Sequence, residues 1–244
     1  ASPQYGTIKS SENYERRFIM TFPNETLPKG RKQKTTALYD RFVNQGAVMG
    51  DSFGLENVLW FANNKEDAHE EPTIKRSRSH DYVSREVINV RENVGLIEVA
   101  NFSKHEFKGT DARKFLDHVM AGKLPKPGRI SLSPMLSYRG KLCGDLTVAC
   151  FDENEFMVFG SGAAQEMHRR WFESHLDKFD VNYKNRSDEF HGISIAGPNS
   201  RKVLEKIVRD NVTNEKFKFR DSRRMFVGGV PAIINRISFT GELG

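Results

Sequence analysis

The sequence predicts an α+β fold made of two related strand–helix halves, and three observations carry that expectation. The first is an internal repeat. KGTDARKFLDHV (108–119) aligns with AGPNSRKVLEKI (196–207), each with a strand before a glycine, then Asp111 or Asn199, then Arg-Lys, then Leu116 or Leu204 in register. The interval between the copies is too long for a solenoid and suits two halves of one domain. The second is a set of short apolar runs, RISLSPML, DLTVACF and EFMVFG, set off by turn residues as strands are. The third is the helical periodicity of DARKFLDHVM and AAQEMHRRWFESHL, which lie before and after those runs.

In chain order, residues 1–62 read as a connector of mixed character. TTALYDRFVNQGAVMG fits a short helix ending near Gly46, and GLENVLWFA adds an apolar patch with Trp60 and Phe61. Residues 63–80, NNKEDAHEEPTIKRSRSH, are almost wholly polar and predict an exposed linker. His69, Glu70 and Glu71 within it fit a solvated charge run better than a metal site. From 81 to 244 the pattern tightens into one domain. Asp81 is placed to cap a helix through VSREVINVREN, with Gly95 as its stop. GLIEVANFSKHEFKG then reads as strand. In each repeat copy the glycine lets the chain turn sharply off the strand, and the Asp or Asn side chain caps the helix. SYRGKLCG is the turn between two strands. The last stretch, VGGVPAIINRISFTGELG, alternates turn and strand signals, with Ile233, Ile234, Ile237 and Phe239 as core positions. It lacks a closing helix, so more residues are expected to follow in the parent protein.

The chain has 244 residues, 37% hydrophobic and 29% charged, enough for a real core. No run approaches the roughly 18–20 apolar residues of a membrane helix, and the first residues lack the apolar stretch of a secretory signal; no membrane partner is expected. Cys143 and Cys150 lie in one predicted strand. At about 3.3 Å per residue their Cα atoms stand about 23 Å apart, beyond disulfide reach, so both read as free thiols of a reducing compartment. No zinc-ligand spacing accompanies them, and no metal is expected. The net charge of +6 and pI near 9.3 describe either a mixed, solvated surface or attraction to an anionic ligand. No basic–aromatic motif accompanies the charge, so nucleic acid is not an expected partner.

Three places carry candidate chemistry. In RGKLCGDLTVACF, Asp145 opens an apolar strand after a glycine-bracketed turn. Alternation puts Asp145, Thr147 and Ala149 on one face and Leu146, Val148 and Cys150 on the other. A carboxylate there can be tuned by desolvation and nearby charge, or can serve only as a turn acceptor. In FGSGAAQ, Gly160-x-Gly162 lies between a strand and a helix, but Gln165 holds the third glycine position of a dinucleotide fingerprint. A tight strand-to-helix turn is the better account. In NRISFTGELG, Arg236 sits in an apolar strand and either seeks a carboxylate or ligand or snorkels from an edge. Glu242 lies between Gly241 and Gly244 in a turn that could present it. His118, His168, His175 and His191 read as surface or capping groups.

Taken together, these segments resemble a family. GLIEVANFSKHEFKGTDARKFL, GRISLSPMLSYRGKLCGDLTVACF, ISIAGPNSRKVLEKI and INRISFTGELG resemble successive motifs of the aminomethyltransferases, that is, the T-protein of glycine cleavage and its relatives. The closer similarity is to the folate-binding half of dimethylglycine and sarcosine dehydrogenases. TTALYDRFVNQGAVMGDSFGLENVLWFA resembles the stretch after the FAD-binding half of those enzymes. The resemblance implies the aminomethyltransferase folate-binding fold, with two ferredoxin-like halves and its C-terminal part missing. It implies tetrahydrofolate as cofactor, capturing a one-carbon unit derived from an N-methyl amine as 5,10-methylenetetrahydrofolate. FAD is implied only for an FAD-binding half of a parent protein, since no FAD phosphate-binding fingerprint occurs in this sequence. By the same resemblance Asp145, in Gly-Asp-Leu-Thr-Val, is the catalytic carboxylate. Thr147 and Gly160 line the folate site, and Arg236 and Glu242 belong to its Arg-x-x-Phe-Thr-Gly-Glu motif. There are departures. Leu132 and Ala149 stand where T-proteins usually have tyrosines, which fits the dehydrogenase relatives. Phe239 replaces a common tyrosine, and Cys150 an arginine usual in the dehydrogenases. A non-catalytic regulatory or scaffold relative and a folate-dependent methyltransferase or demethylase stay open as alternatives. A bacterial cytoplasm or a mitochondrial matrix is the implied location.

Overall fold

The computed structural model describes residues 2–23, 25–239 and 241–244, whose contacts form two compact units, 1–89 and 90–244. The first unit opens with α1 (Pro3–Glu15), a helix the sequence reading passed over. Ser2 caps it by accepting the Tyr5 N–H at 3.2 Å, and Pro3 stands in the first turn, where its missing N–H costs nothing. Glu12 is buried, accepting from Lys9 Nζ at 2.8 Å and the Lys29 N–H at 2.7 Å. The short helix expected before Gly46 is α2 (Tyr39–Asn44). The Trp60–Phe61 patch is half of a hairpin, in which β1 (Ala47–Ser52) pairs antiparallel with β2 (Leu55–Phe61). Trp60 is buried against the Tyr82 ring at 4.9 Å and donates to Glu70 at 2.5 Å. The polar run 63–80 lies inside this unit, where Arg78 pairs with Asp67 and Glu71. Next comes α3 (Ser79–Glu92), which starts before Asp81, so Asp81 lies in its first turn rather than at its cap.

In the second unit, Gly95 opens β3 (Gly95–Glu98) instead of stopping a helix. The strand expected over 95–109 is two strands, because a turn at 99–102 sends β4 (Ser103–Lys108) into a different sheet. There follow α4 (Ala112–Val119), β5 (Arg129–Leu136), β6 (Leu142–Asp152), β7 (Glu155–Gly160), α5 (Gln165–Glu173) and β8 (Asn182–Asn185). The chain continues through β9 (Ile193–Ala196), α6 (Ser200–Ile207), β10 (Ser222–Val227) and β11 (Val230–Asn235). The main sheet is antiparallel with order β5-β6-β7-β4-β8, while β3 pairs with β9 and β10 with β11.

The repeat exists as structure: β4–Gly109–α4 and β9–Gly197–α6 follow the same path. Both glycines have positive φ, +148° and +120°. A Cβ on Gly109 would stand 2.2 Å from the Asp180 carbonyl oxygen, and one on Gly197 2.6 Å from those of Val90 and Asn93. The expected caps do not form. Asp111 and Asn199 have near-helical ψ values of 11° and 5°, and neither side chain caps its helix; a capping residue is usually extended there. The Asp111 carboxylate instead accepts the Asp180 N–H at 3.2 Å and Lys114 at 2.8 Å.

Helices α4 and α5 cover one face of the main sheet, burying Phe107, Leu116, Leu146, Val148 and Phe172 completely. On the other face Ile130, Ala149 and Met157 lie under Phe190 and Ile233. A third cluster, Val208, Val212, Phe217 and Met225, gathers Leu204 and Ile234 around α6 and the last hairpin. Ile233 and Ile234 thus serve opposite clusters, as strand alternation demands. Ile237 and Phe239, expected in the core, are exposed: they lie past the end of β11, where no ladder maintains the alternation. Both cysteines are free thiols, and burial pushes the Cys150 thiol up to about 11. Among the described residues no helix is long and apolar enough to cross a membrane.

Candidate functional site

The register of the main sheet builds the site. Asp145 pairs with Pro134 on β5, Thr147 with Leu132 on β5 and Phe159 on β7, and Ala149 with Ile130 and Met157. Paired residues share a face. Asp145, Thr147, Leu132 and Phe159 therefore lie together, while Leu146, Val148 and Cys150 face the helices and are fully buried. The shared face is closed at one end by the Ile130–Ala149–Met157 cluster. It opens toward Asp145, where the carboxylate is exposed, Thr147 is half-buried and Leu132 is 64% exposed. An apolar floor with one negative edge can take a flat ring system and can stabilise a positive charge, or hold a proton, at its rim.

The other site residues expected from the sequence lie elsewhere. Gly160 pairs with Ser103 and is on the helix-covered face, behind the floor. A Cβ there would stand 2.6 Å from Leu146 Cδ2 and 3.0 Å from His168 Nδ1, so its bareness lets α5 pack on the sheet. Arg236 follows β11 and turns toward the α6 cluster, donating to the Phe217 carbonyl at 2.5 Å. Burial, and then Arg201 beside it, lower its pKa, and among the described residues no carboxylate is ion-paired with it. Glu242 lies beside the start of α6, where the Leu243 carbonyl accepts from the Gly197 N–H at 2.9 Å and from Ser200 Oγ at 2.8 Å. Thr240 of the same motif lies outside the described residues. The structure brings Asp145 and Thr147 together, sets Gly160 at their back, and joins Arg236 and Glu242 to the second repeat half.

Polar burial on β4 was not foreseen. Ser103, Lys104, His105 and Glu106 are all buried. Lys104 Nζ donates to the Ala100 and Phe102 carbonyls at 2.9 and 2.6 Å, and Glu106 takes Arg186 at 3.1 Å. His105 bridges Tyr183 Oη at 2.8 Å and Ser103 Oγ at 3.1 Å. Burial first, then His168, drives the His105 pKa down to about 3. His168 was expected at the surface and is buried. The signal for it existed: His168 lies one helical turn before the buried Phe172, on the same face of α5. A cavity of about 340 Å³ in the first unit, bordered by Arg31, Met49, Leu59 and Glu70, contains none of these residues.

Residues 38–244 match the family model described as the GCVT N-terminal domain. The chain is 34% identical to the mitochondrial dimethylglycine dehydrogenase of Homo sapiens, over 99% of this chain and 28% of that protein. It is 30% identical to the aminomethyltransferase of Thermosipho melanesiensis over 86% of this chain and 53% of that protein. It is 32% identical to sarcosine oxidase subunit alpha of Rhizobium meliloti over 86% of this chain and 21% of that protein. The chain thus spans about half the length of these curated relatives, or less. Among solved structures, the glycine cleavage system aminomethyltransferase T from Bartonella henselae matches with a TM-score of 0.67 at 19% identity, over 87% of this chain and 52% of that one. That likeness shows a shared α+β aminomethyltransferase fold.

Proposed function

This chain belongs to the family of the GCVT N-terminal domain, and we propose that it is a tetrahydrofolate-binding, one-carbon-transfer module with Asp145 as its catalytic carboxylate. One observation carries this: the open floor of Leu132, Thr147 and Phe159 has the exposed Asp145 at its rim. The residues fit the cofactor. Leucine and phenylalanine surface suits a flat ring, and the Thr147 hydroxyl can donate to or accept from its polar edge. Tetrahydrofolate supplies, when bound, the nitrogens that take up the carbon as 5,10-methylenetetrahydrofolate. Asp145 would supply a negative charge to favour a positive charge developing on the bound cofactor and would hold the departing proton. Leu132 and Phe159 would cover one side of the bound ring system. Thr147, Gly160, Arg236 and Glu242 are assigned to the cofactor site through the family motifs they match. The one-carbon unit comes from an N-methyl amine oxidised by an FAD-binding half of the parent protein. The relatives named dimethylglycine dehydrogenase and sarcosine oxidase support that source, and a mitochondrial matrix or bacterial cytoplasm as the location.

The test is calorimetric titration of the full-length protein with tetrahydrofolate, then formation of methylenetetrahydrofolate from formaldehyde, in wild type and Asp145→Asn. Asparagine keeps the shape and removes the charge and the proton acceptor. Binding should persist while turnover falls about 100-fold or more. Unchanged turnover would remove Asp145 from the chemistry, and failure of the full-length protein to bind tetrahydrofolate would overturn the whole reading.

A further inference from the structure

We infer that Arg220 anchors the anionic tail of the cofactor, taking a glutamate carboxylate of tetrahydrofolate at the outer edge of β5; the inference rests on the folate-binding role proposed above. Strand β5 ends the main sheet, so only its inner edge belongs to the ladder. The segment that leads into β10 lies on the outer edge. There the Ser222 N–H donates to the Gly128 carbonyl at 2.9 Å, and the Arg220 carbonyl accepts from the Ile130 N–H at 2.9 Å. Arg220 Nε then donates to the Ile130 carbonyl at 3.1 Å. Along an extended strand the carbonyl of a residue lies beyond its N–H, so the side chain runs along the edge from Ile130 toward Leu132. Leu132 is the next residue whose N–H and C=O point outward from β5. Two residues further on, the edge is filled again, where the Pro134 carbonyl accepts from the Ala121 N–H at 2.8 Å. At Leu132 it is open: among the described residues no backbone group bonds it from this side.

The guanidinium is held in place yet left uncommitted. Arg220 has a φ of +68°, a left-handed conformation that a residue with a Cβ adopts only where its surroundings impose it. Its own N–H donates to the Arg236 carbonyl at 2.8 Å, so the backbone is tied on both sides. The residue is exposed. The neighbouring carboxylate does not neutralise it, because Asp221 already takes Arg129, Arg223 and the Lys218 N–H. With Nε anchored, the two terminal amino groups remain to grip a carboxylate as a fork. The floor leads a carboxylate to this place. It is closed at the Ile130–Ala149–Met157 end, so a ligand whose reacting end lies at Asp145 can leave over the β5 edge, past Leu132. From Pro134, which pairs with Asp145, to Ile130 is about 13 Å of strand at about 3.3 Å per residue. In tetrahydrofolate a p-aminobenzoyl spacer of comparable length separates the reacting nitrogens from the glutamate.

Calorimetric titration of the full-length protein tests this with two ligands, tetrahydrofolate and tetrahydropteroate, which lacks the glutamate. Arg220→Gly removes the guanidinium, and glycine suits a φ of +68°, so the substitution does not threaten the fold. Arg220→Asn is a second such variant, since asparagine tolerates the same conformation. Both should raise Kd for tetrahydrofolate about 10-fold and change that for tetrahydropteroate less than about 2-fold. Arg220→Lys, which keeps the charge without the fork, should lose only part of the affinity. Equal Kd for tetrahydrofolate in wild type and in both Arg220→Gly and Arg220→Asn overturns the inference. An equal loss for the two ligands overturns it as well, and identifies Arg220 as a staple of the β5 edge alone. Failure of the functional reading shows separately, as a wild-type protein that binds neither ligand, and takes the inference with it.

Discussion

His105 is closed off from solvent by Tyr183 and Ser103 and by the ring edges of His168 and Phe172. Its pKa in the fold lies near 3, held down by burial and then by His168, with Glu166 pulling weakly the other way. In the unfolded chain it returns to about 6.5. Between those values the unfolded state binds a proton that the native state refuses. Stability is therefore complete above the unfolded value and falls as the pH drops through the window, by at most about 1.4 kcal/mol per pH unit for this one group. Urea denaturation of wild type and His105→Gln between about pH 7 and pH 4 measures it. The wild-type advantage should shrink steadily on acidification, whereas parallel curves would show that His105 titrates alike in both states. Neither this histidine nor His168 was legible as buried. SKHEFK alternates polar with polar, so period-two patterning has no contrast to report, and in QEMHRRWFE the ring's polarity outweighed its position one turn from Phe172.

The strand–glycine–helix unit occurs twice, and each copy needs its glycine for two reasons. Gly109 combines a φ of +148° with a Cβ site 2.2 Å from the Asp180 carbonyl oxygen, and backbone cannot withdraw as a side chain could. Gly128 has a φ of +75° and nothing within 4 Å of its Cβ site. Gly128→Ala should therefore cost only the backbone strain, about 1 kcal/mol. Gly109→Ala adds the clash and should cost about 2–3 kcal/mol, lowering Tm by about 2–4 °C for each kcal/mol in a chain of this size. Equal costs at the two positions, measured by thermal and chemical denaturation, would mean that the Asp180 loop yields. At this scale the sequence is informative where chemistry is local. Glycine, helical period and β-branched runs located β5, β6, β7, α4, α5 and α6. It is silent where pairing is long-range. NYKN becomes the edge strand β8 only because β4 lies beside it, and Asp111 fails as a cap because the Asp180 segment claims its carboxylate.

For the molecule as a whole, the order of several motifs was enough to read the family and the fold, since each motif constrains the spacing of the next. Which motifs face one another was not readable. Arg236 and Asp145 stand in two motifs that the family resemblance assigns to one folate site, yet the Arg236 side chain is held by the Phe217 carbonyl on the α6 side, while Asp145 opens from the main sheet. Strand spacing gives a residue its face but not the partner that face will meet. The charge of the molecule bears on the ligand in a way that can be measured. The net charge is +6, and a folate is an anion, so long-range attraction should assist binding and weaken as salt screens it. With tetrahydrofolate at 100 times its Kd the full-length protein should gain about 2.7 kcal/mol, read as a rise in Tm. Raising the salt to about 0.5 M, where screening acts over only a few ångströms, should weaken binding and shrink that rise at fixed ligand. Asp145→Asn should leave the rise in place, because the carboxylate is assigned to the reacting nitrogen and not to holding the anion. A Tm rise equal at low and high salt would instead identify the positive excess as ordinary solvated surface, leaving the apolar floor of Leu132 and Phe159 to supply the affinity.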